Sequence, residues 1–296
     1  MSLRRRLVLL SAIASLGVAA CSGLRLSPVT AEPTSRWIPG KFIWHDLITH
    51  DVDAVKRFYA DIFGWTFESL PGTDRYTVIR HDGEMIGGIV FSDRKVDGKP
   101  ISQWVGLMSV PNVDVAATRI RQAGGRVFAG PRDIDDRGRL AVVGDPQGAV
   151  FGLVRTTGGD PPDRQAELGD WLWNELWCTD QGQAAAVYAS LVGFELETHE
   201  TAVAGKPYTV FAQDGTPRAG LLVDPFPEVT PYWLSYVRVE DPAAVVARVE
   251  GLGGRVLLKP AAQHRQGTVA IIADPTGAEV AIQKWPIDDA GAGDDD

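Results

Sequence analysis

The period of the apolar positions changes in a regular order along this chain. Phe42 to Thr49 reads as a strand, and after a capping Asp51 the residues Val55, Phe58, Tyr59 and Ile62 share one side of a helix that Gly64 ends. Short strands are predicted around Trp65–Glu68, Arg75–Arg80 and Met85–Phe91. The same order then returns. A strand at Gln103–Val110 leads into a helix with Val113, Ala116, Ala117 and Ile120 on one side, stopped at Gly124-Gly125. Strands follow near Val127, at Leu140–Val143 and at Ala149–Val154, the last two joined by an Asp-Pro-x-Gly turn. Each unit is therefore strand, helix and three strands.

The two units together recur 129 residues later. Trp44-His45-Asp46-Leu47 returns as Trp173-Asn174-Glu175-Leu176, Tyr59 as Tyr188, and Trp104 as Trp233. Asp145-Pro146-Gln147-Gly148 returns as Asp274-Pro275-Thr276-Gly277. The register slips by three in the middle, where Tyr76 matches Tyr208 and Gly88 matches Gly220. The second copy's helices carry Ala184, Val187, Tyr188 and Leu191, then Val245, Val246, Val249 and Leu252 behind Asp241-Pro242. The fold class predicted is α+β: four βαβββ units in two fused domains, at 41–155 and 170–285. A tether (21–40) precedes them, a linker (156–169) with Gly158-Gly159 and Pro161-Pro162 joins them, and an acidic tail (286–296) follows.

The N-terminus reads differently. Arg4-Arg5-Arg6 precedes an apolar run from Leu7 to Ala20, the pattern of an export signal and too short to span a bilayer. Val18-Ala19-Ala20-Cys21 resembles a bacterial lipoprotein cleavage box, which makes residues 1–20 the signal and Cys21 the lipid carrier. Ser22 resembles the outer-membrane-directed form in a Gram-negative host. The chain is then exported and held to the membrane through that lipid alone. Cys178, the one thiol left, is expected as buried filler. Loss of the three arginines changes the net charge from −9 to −12. Nucleic acid is a poor partner for so acidic a body.

The four βαβββ units, Asp51…Phe58-Tyr59…Gly64-Trp65 and the Asp-Pro-x-Gly turns resemble the vicinal oxygen chelate superfamily, closest to its two-domain glyoxalase-like branch. The resemblance implies that each pair of units curls into an eight-stranded cup with the ligand inside. The superfamily's enzymes bind a metal at three cup-facing strand positions, which here are Trp44, Val105 and Gly152, and in the second copy Trp173, Leu234 and Ala281. None of these six is a metal ligand, so no metal, cofactor or catalytic residue is expected.

Strand alternation puts Asp46 beside Trp44, and Glu175 beside Trp173, on one face. Leu107 and Tyr236 follow the superfamily's second ligand position and should face the cups, whereas Trp104 and Trp233 should turn towards the core. One reading of the acids is a carboxylate for a cationic or hydrogen-bonding ligand against an aromatic wall. The other is an acid that meets an Arg or backbone donor at the domain seam. The expected function is binding of a small aromatic or amphipathic molecule through Trp44, Asp46, Leu107, Trp173, Glu175 and Tyr236. Two rivals stay open: a metal-dependent lyase, isomerase or oxygenase using His45, His81 or Asp46, and an envelope interaction protein with filled cups.

Overall fold

The computed structural model describes residues 26–286, apart from 71, 97, 204–205 and 225–229. The export signal, Cys21 and residues 287–296 of the acidic tail lie outside the described residues. The first half runs β1 (Phe42–Thr49), α1 (Val52–Phe63), β2 (Thr66–Ser69), β3 (Tyr76–His81), β4 (Glu84–Phe91), a small hairpin of β5 (Lys95–Val96) and β6 (Lys99–Pro100), β7 (Gln103–Ser109), α2 (Val113–Gln122), β8 (Arg126–Ile134), β9 (Gly138–Gly144) and β10 (Val150–Arg155). The second half repeats it as β11 (Trp171–Cys178), α3 (Gln181–Val192), β12 (Glu195–Val203), β13 (Lys206–Gln213), β14 (Thr216–Val223), β15 (Tyr232–Arg238), α4 (Pro242–Val249), β16 (Arg255–Leu258), β17 (Val269–Ala273) and β18 (Glu279–Gln283). Among the described residues no helix is long and apolar enough to cross a membrane.

Each half forms one eight-stranded sheet, ordered β2-β3-β4-β1-β7-β10-β9-β8 and β12-β13-β14-β11-β15-β18-β17-β16. These are the two expected cups. The helix boundaries follow local chemistry: Asp51 accepts from the Ala54 amide at 3.0 Å, and Gly64 takes the left-handed φ of +75° that ends α1. Asp180 and Gly193 do the same for α3.

The halves pack back to back. The outer face of each sheet and its helices form two shared cores. In one, α1, Leu47, Ile79 and Trp104 meet α4, Ala270, Ile272 and Val280. In the other, α2, Met108 and Phe151 meet α3, Leu176, Phe211 and Trp233. The first unit of one half therefore rests on the second unit of the other. Polar contacts across the seam obey the same pseudo-symmetry. Tyr59 Oη donates to Asp274 at 3.1 Å and accepts from Trp104 Nε1 at 2.9 Å. Tyr188 Oη donates to Asp145 at 3.1 Å and accepts from Trp233 Nε1 at 2.9 Å. Trp104 and Trp233 thus lie in the core, as alternation requires.

His45 and Asn174, repeat mates, meet at the centre of the seam through Nε2 and Oδ1 at 2.9 Å. Ser235 Oγ donates to the same oxygen, so the imidazole supplies its Nε2–H there. Cys178 is fully buried, as expected of filler, and burial pushes its thiol up to about 12.

Residues 26–40 do not form a free tether. The stretch from Thr34 to Ile38 is laced to 156–160: Thr34 and Ser35 amides donate to the Asp160 and Gly158 carbonyls at 3.2 and 3.1 Å. Asp160, fully buried, accepts from the Ile38 amide at 2.7 Å and from Ser109 Oγ at 2.5 Å. The linker is accordingly a packed strap over the end of the first sheet.

Candidate functional site

Register fixes which side chains line each cup. Trp44 pairs with Leu107, Asp46 with Val105, and Gly152 with Leu107, so all five share the concave face of the first sheet. Trp173 likewise pairs with Tyr236, Glu175 with Leu234, and Tyr236 with Ala281. The expected site residues are therefore brought together, three in each cup.

In the first cup Asp46 Oδ1 accepts from Trp44 Nε1 at 2.9 Å and from Tyr76 Oη at 2.7 Å. Arg137 Nη1 donates to Tyr76 Oη at 2.9 Å, and the guanidinium lies 4.2 Å from the Trp44 ring centroid. In the second cup Glu175 Oε2 accepts from Tyr236 Oη at 2.6 Å and Trp177 Nε1 at 2.9 Å, while Oε1 pairs with Arg265 Nη2. Trp173 Nε1 donates to Tyr208 Oη at 2.9 Å. Burial alone would raise the Glu175 carboxyl, but the Arg265 charge, with Tyr236 and Trp177, holds it below its ordinary value. Glu175 does meet an arginine, but inside the cup rather than at the domain seam, and that arginine already balances its charge, leaving none for a cationic ligand.

Tyr76, Tyr208, Arg137, Arg265 and Trp177 were not singled out from the sequence as site residues. The tyrosines did carry a signal. Tyr76 and Tyr208 recur, and so do Gly88 and Gly220, which let each phenol cross β4 or β14. A Cβ at Gly88 would stand 2.1 Å from Tyr76 Oη, and at Gly220 2.0 Å from Tyr208 Oη. The arginines carried none, because Arg265 aligns with Asp136 and Arg137 with Gln266.

The two cups differ in access. Leu26 and Val29 belong to the same buried cluster as Trp44, Tyr76, Leu107 and Leu140. Arg137 Nε donates to the Ser27 carbonyl at 3.0 Å. Trp44 is 0% exposed and Arg137 1%, whereas the mates Leu107 and Tyr236 are both 2% exposed. Where Trp44 and Leu107 were expected to meet a ligand, the chain's own N-terminal segment covers them. In the second cup Trp173, Tyr208 and Tyr232 are only half-buried, and the Arg265 side chain is 18% exposed.

The superfamily's enzymes imply a divalent metal, and the residues do not fit one. An indole, an aliphatic side chain and a glycine or alanine hold the three ligand positions, and a guanidinium already supplies positive charge in each cup. His45, His81 and Asp46 are not assembled either. His45 lies on the seam face, and His81 Nδ1 is bound to Asp170, at the start of the second domain, at 2.9 Å. Among the described residues no group of three His, Cys, Asp or Glu is placed to hold a metal ion.

Known proteins agree with this architecture. The Glyoxalase-like domain family matches residues 173–283. CFP32, a candidate glyoxylase of Mycobacterium tuberculosis, is 31% identical over 245 residues, 81% of this chain and 93% of its own length. The anthracycline biosynthesis protein DnrV of Streptomyces peucetius is 31% identical over 265 residues, 84% of this chain and 94% of its own. Among solved structures, the Mn(II)-bound glyoxalase from Novosphingobium aromaticivorans superposes with a TM-score of 0.55 at 14% identity, over 83% of this chain and 82% of that one. The 2,2',3-trihydroxybiphenyl 1,2-dioxygenase from Sphingomonas wittichii gives 0.56 at 14% identity, over 83% and 91%. These last two share the fold. By sequence and architecture together, the chain belongs to the glyoxalase-like proteins of the vicinal oxygen chelate superfamily.

Proposed function

We propose that this protein binds a small aromatic or amphipathic molecule in its second cup, without a metal, and that its own N-terminal segment closes the first. The carrying observation is the unequal exposure of repeat mates: Trp44 is 0% exposed in one cluster with Leu26 and Val29, whereas Trp173 is half-buried. An indole beside Tyr208 offers a flat apolar surface, and Glu175 with Arg265 fixes polar groups at its floor. The anthracycline biosynthesis relatives support a planar, polycyclic ligand. The lipoprotein-like start supports an address at the cell envelope, the anchor being the lipid on Cys21.

Planar aromatic compounds should quench tryptophan fluorescence with saturation. Trp173→Ala should weaken that binding about tenfold through the lost stacking surface, and Trp44→Ala should leave the affinity unchanged. Equal effects of the two substitutions would remove the distinction between the cups. Cys21→Ala should block lipid attachment and leave the protein unprocessed or wrongly processed, while the wild type should partition into the detergent phase.

A further inference from the structure

Arg265 enters the second cup from an unusual piece of backbone. Arg265 and Gln266 both adopt left-handed φ, +46° and +57°, a conformation that side chains other than glycine rarely take. Such strain concentrates at ligand-contacting positions. The side chain passes 5.3 Å from the ring centroids of both Tyr208 and Tyr236. Nη1 donates to Gln283 Oε1 at 3.0 Å and Nη2 to Glu175 Oε1. A guanidinium carries five N–H groups, and among the described residues nothing else accepts from this one. Among the described residues its Nε has no acceptor, and the side chain is 18% exposed.

The first cup displays what an arginine in this setting takes. Arg137 spends Nη1 on Tyr76 Oη, and its Nε donates to a neutral carbonyl oxygen, that of Ser27, at 3.0 Å. Apolar Leu26 and Val29 flank that carbonyl in the chain and are buried in one cluster with Trp44. The segment therefore sits in its cup much as a ligand would, with one acceptor oxygen on the arginine that lies over the indole and apolar side chains in the same buried cluster.

We infer that Arg265 is the recognition residue of the second cup, and that its ligand is a planar apolar molecule bearing a neutral carbonyl oxygen, of the ketone or quinone class. This rests on the second cup being the ligand site. A carboxylate is disfavoured because Glu175 lies ionised against the same guanidinium, so an anionic ligand meets like charge at the point of contact.

The test is equilibrium dialysis of the full chain against three probes on one skeleton: fluorenone, fluorene and fluorene-9-carboxylate. Fluorenone should bind at least about tenfold more tightly than the other two, the worth of one hydrogen bond to a charged group. Arg265→Lys, which keeps the charge and loses the fork, should erase that preference by lowering fluorenone binding to the level of fluorene. If the lysine variant fails to fold, the double variant Glu175→Gln/Arg265→Gln leaves no unpaired buried charge and should show the same levelling. Equal binding of all three probes, or a preference that survives both variants, overturns the inference while the second cup remains a binding site. No binding of any probe, or binding indifferent to Trp173→Ala, overturns the reading of the second cup itself.

Discussion

His45 shows how a single buried side chain ties this fold to pH. Desolvation lowers its pKa to about 4 from an ordinary 6.5, although the bond to Asn174 opposes the fall. The unfolded chain takes up the proton near the ordinary value and the folded one does not. Stability from this site is therefore complete above pH 6.5 and is lost as pH falls towards 4, at about 1.4 kcal/mol per pH unit. His45→Asn, the residue its mate already uses, should flatten that acid limb by about 2 kcal/mol between pH 7 and 5, read from urea unfolding of both proteins. An unchanged slope in the variant would assign acid lability elsewhere. The site residues were legible to the degree that they recur. Asp46 with Glu175 and Trp44 with Trp173 stand out because both copies keep the type. Arg137 and Arg265 could not be found that way, since each reaches its cup from a neighbouring rather than an equivalent position, along a loop with its own turn.

At the scale of elements, the repeated motif residues serve the seam more than the cups. Tyr59 on α1 and Tyr188 on α3 each bridge a tryptophan of their own half to the turn aspartate of the other. Those aspartates also gather the amides of their turns: Asp145 Oδ1 accepts from Gln147, Gly148 and Ala149 at 2.8–2.9 Å. Burial raises the Asp145 and Asp274 carboxyls despite those bonds, so each site's contribution to folding is complete below the ordinary carboxylate value and is lost as pH rises from there through the raised folded one. Tyr59→Phe and Tyr188→Phe should each cost about 1–3 kcal/mol, because an indole N–H and a buried carboxylate lose a partner together. The two share no partner, so the double variant should lose the sum to within about 0.5 kcal/mol, measured by denaturant unfolding. A strongly non-additive result would mean that the halves do not behave as a pseudo-symmetric pair. Helix and strand order was readable because period and capping residues agree locally in each unit. The seam was not, because a core shared by two sheets has the same apolar signature as a core within one.

For the whole molecule, one short segment makes two similar cups unequal. Apolar periodicity could not reveal it, since Leu26, Ser27 and Val29 sit in a proline-bearing stretch with no regular period. A chain beginning at Arg36 would lose the Leu26 and Val29 packing, worth up to about 3–5 kcal/mol of burial before the ordering entropy is counted. It would also uncover Trp44 and release Arg137 Nε from Ser27. Compared with a chain beginning at Leu26, its melting temperature should fall. Its capacity for a planar carbonyl compound should rise from one molecule to two, because the opened first cup then offers the same indole, phenol and guanidinium as the second. Leu26→Ala with Val29→Ala should give an intermediate: lower stability, with the Ser27 carbonyl still on Arg137 and one molecule bound. Capacity by equilibrium dialysis and melting by calorimetry read the two consequences separately. A chain from Arg36 that melts lower but still binds one molecule would make the segment a structural cover; one that melts as before would remove it from the first cup's account altogether.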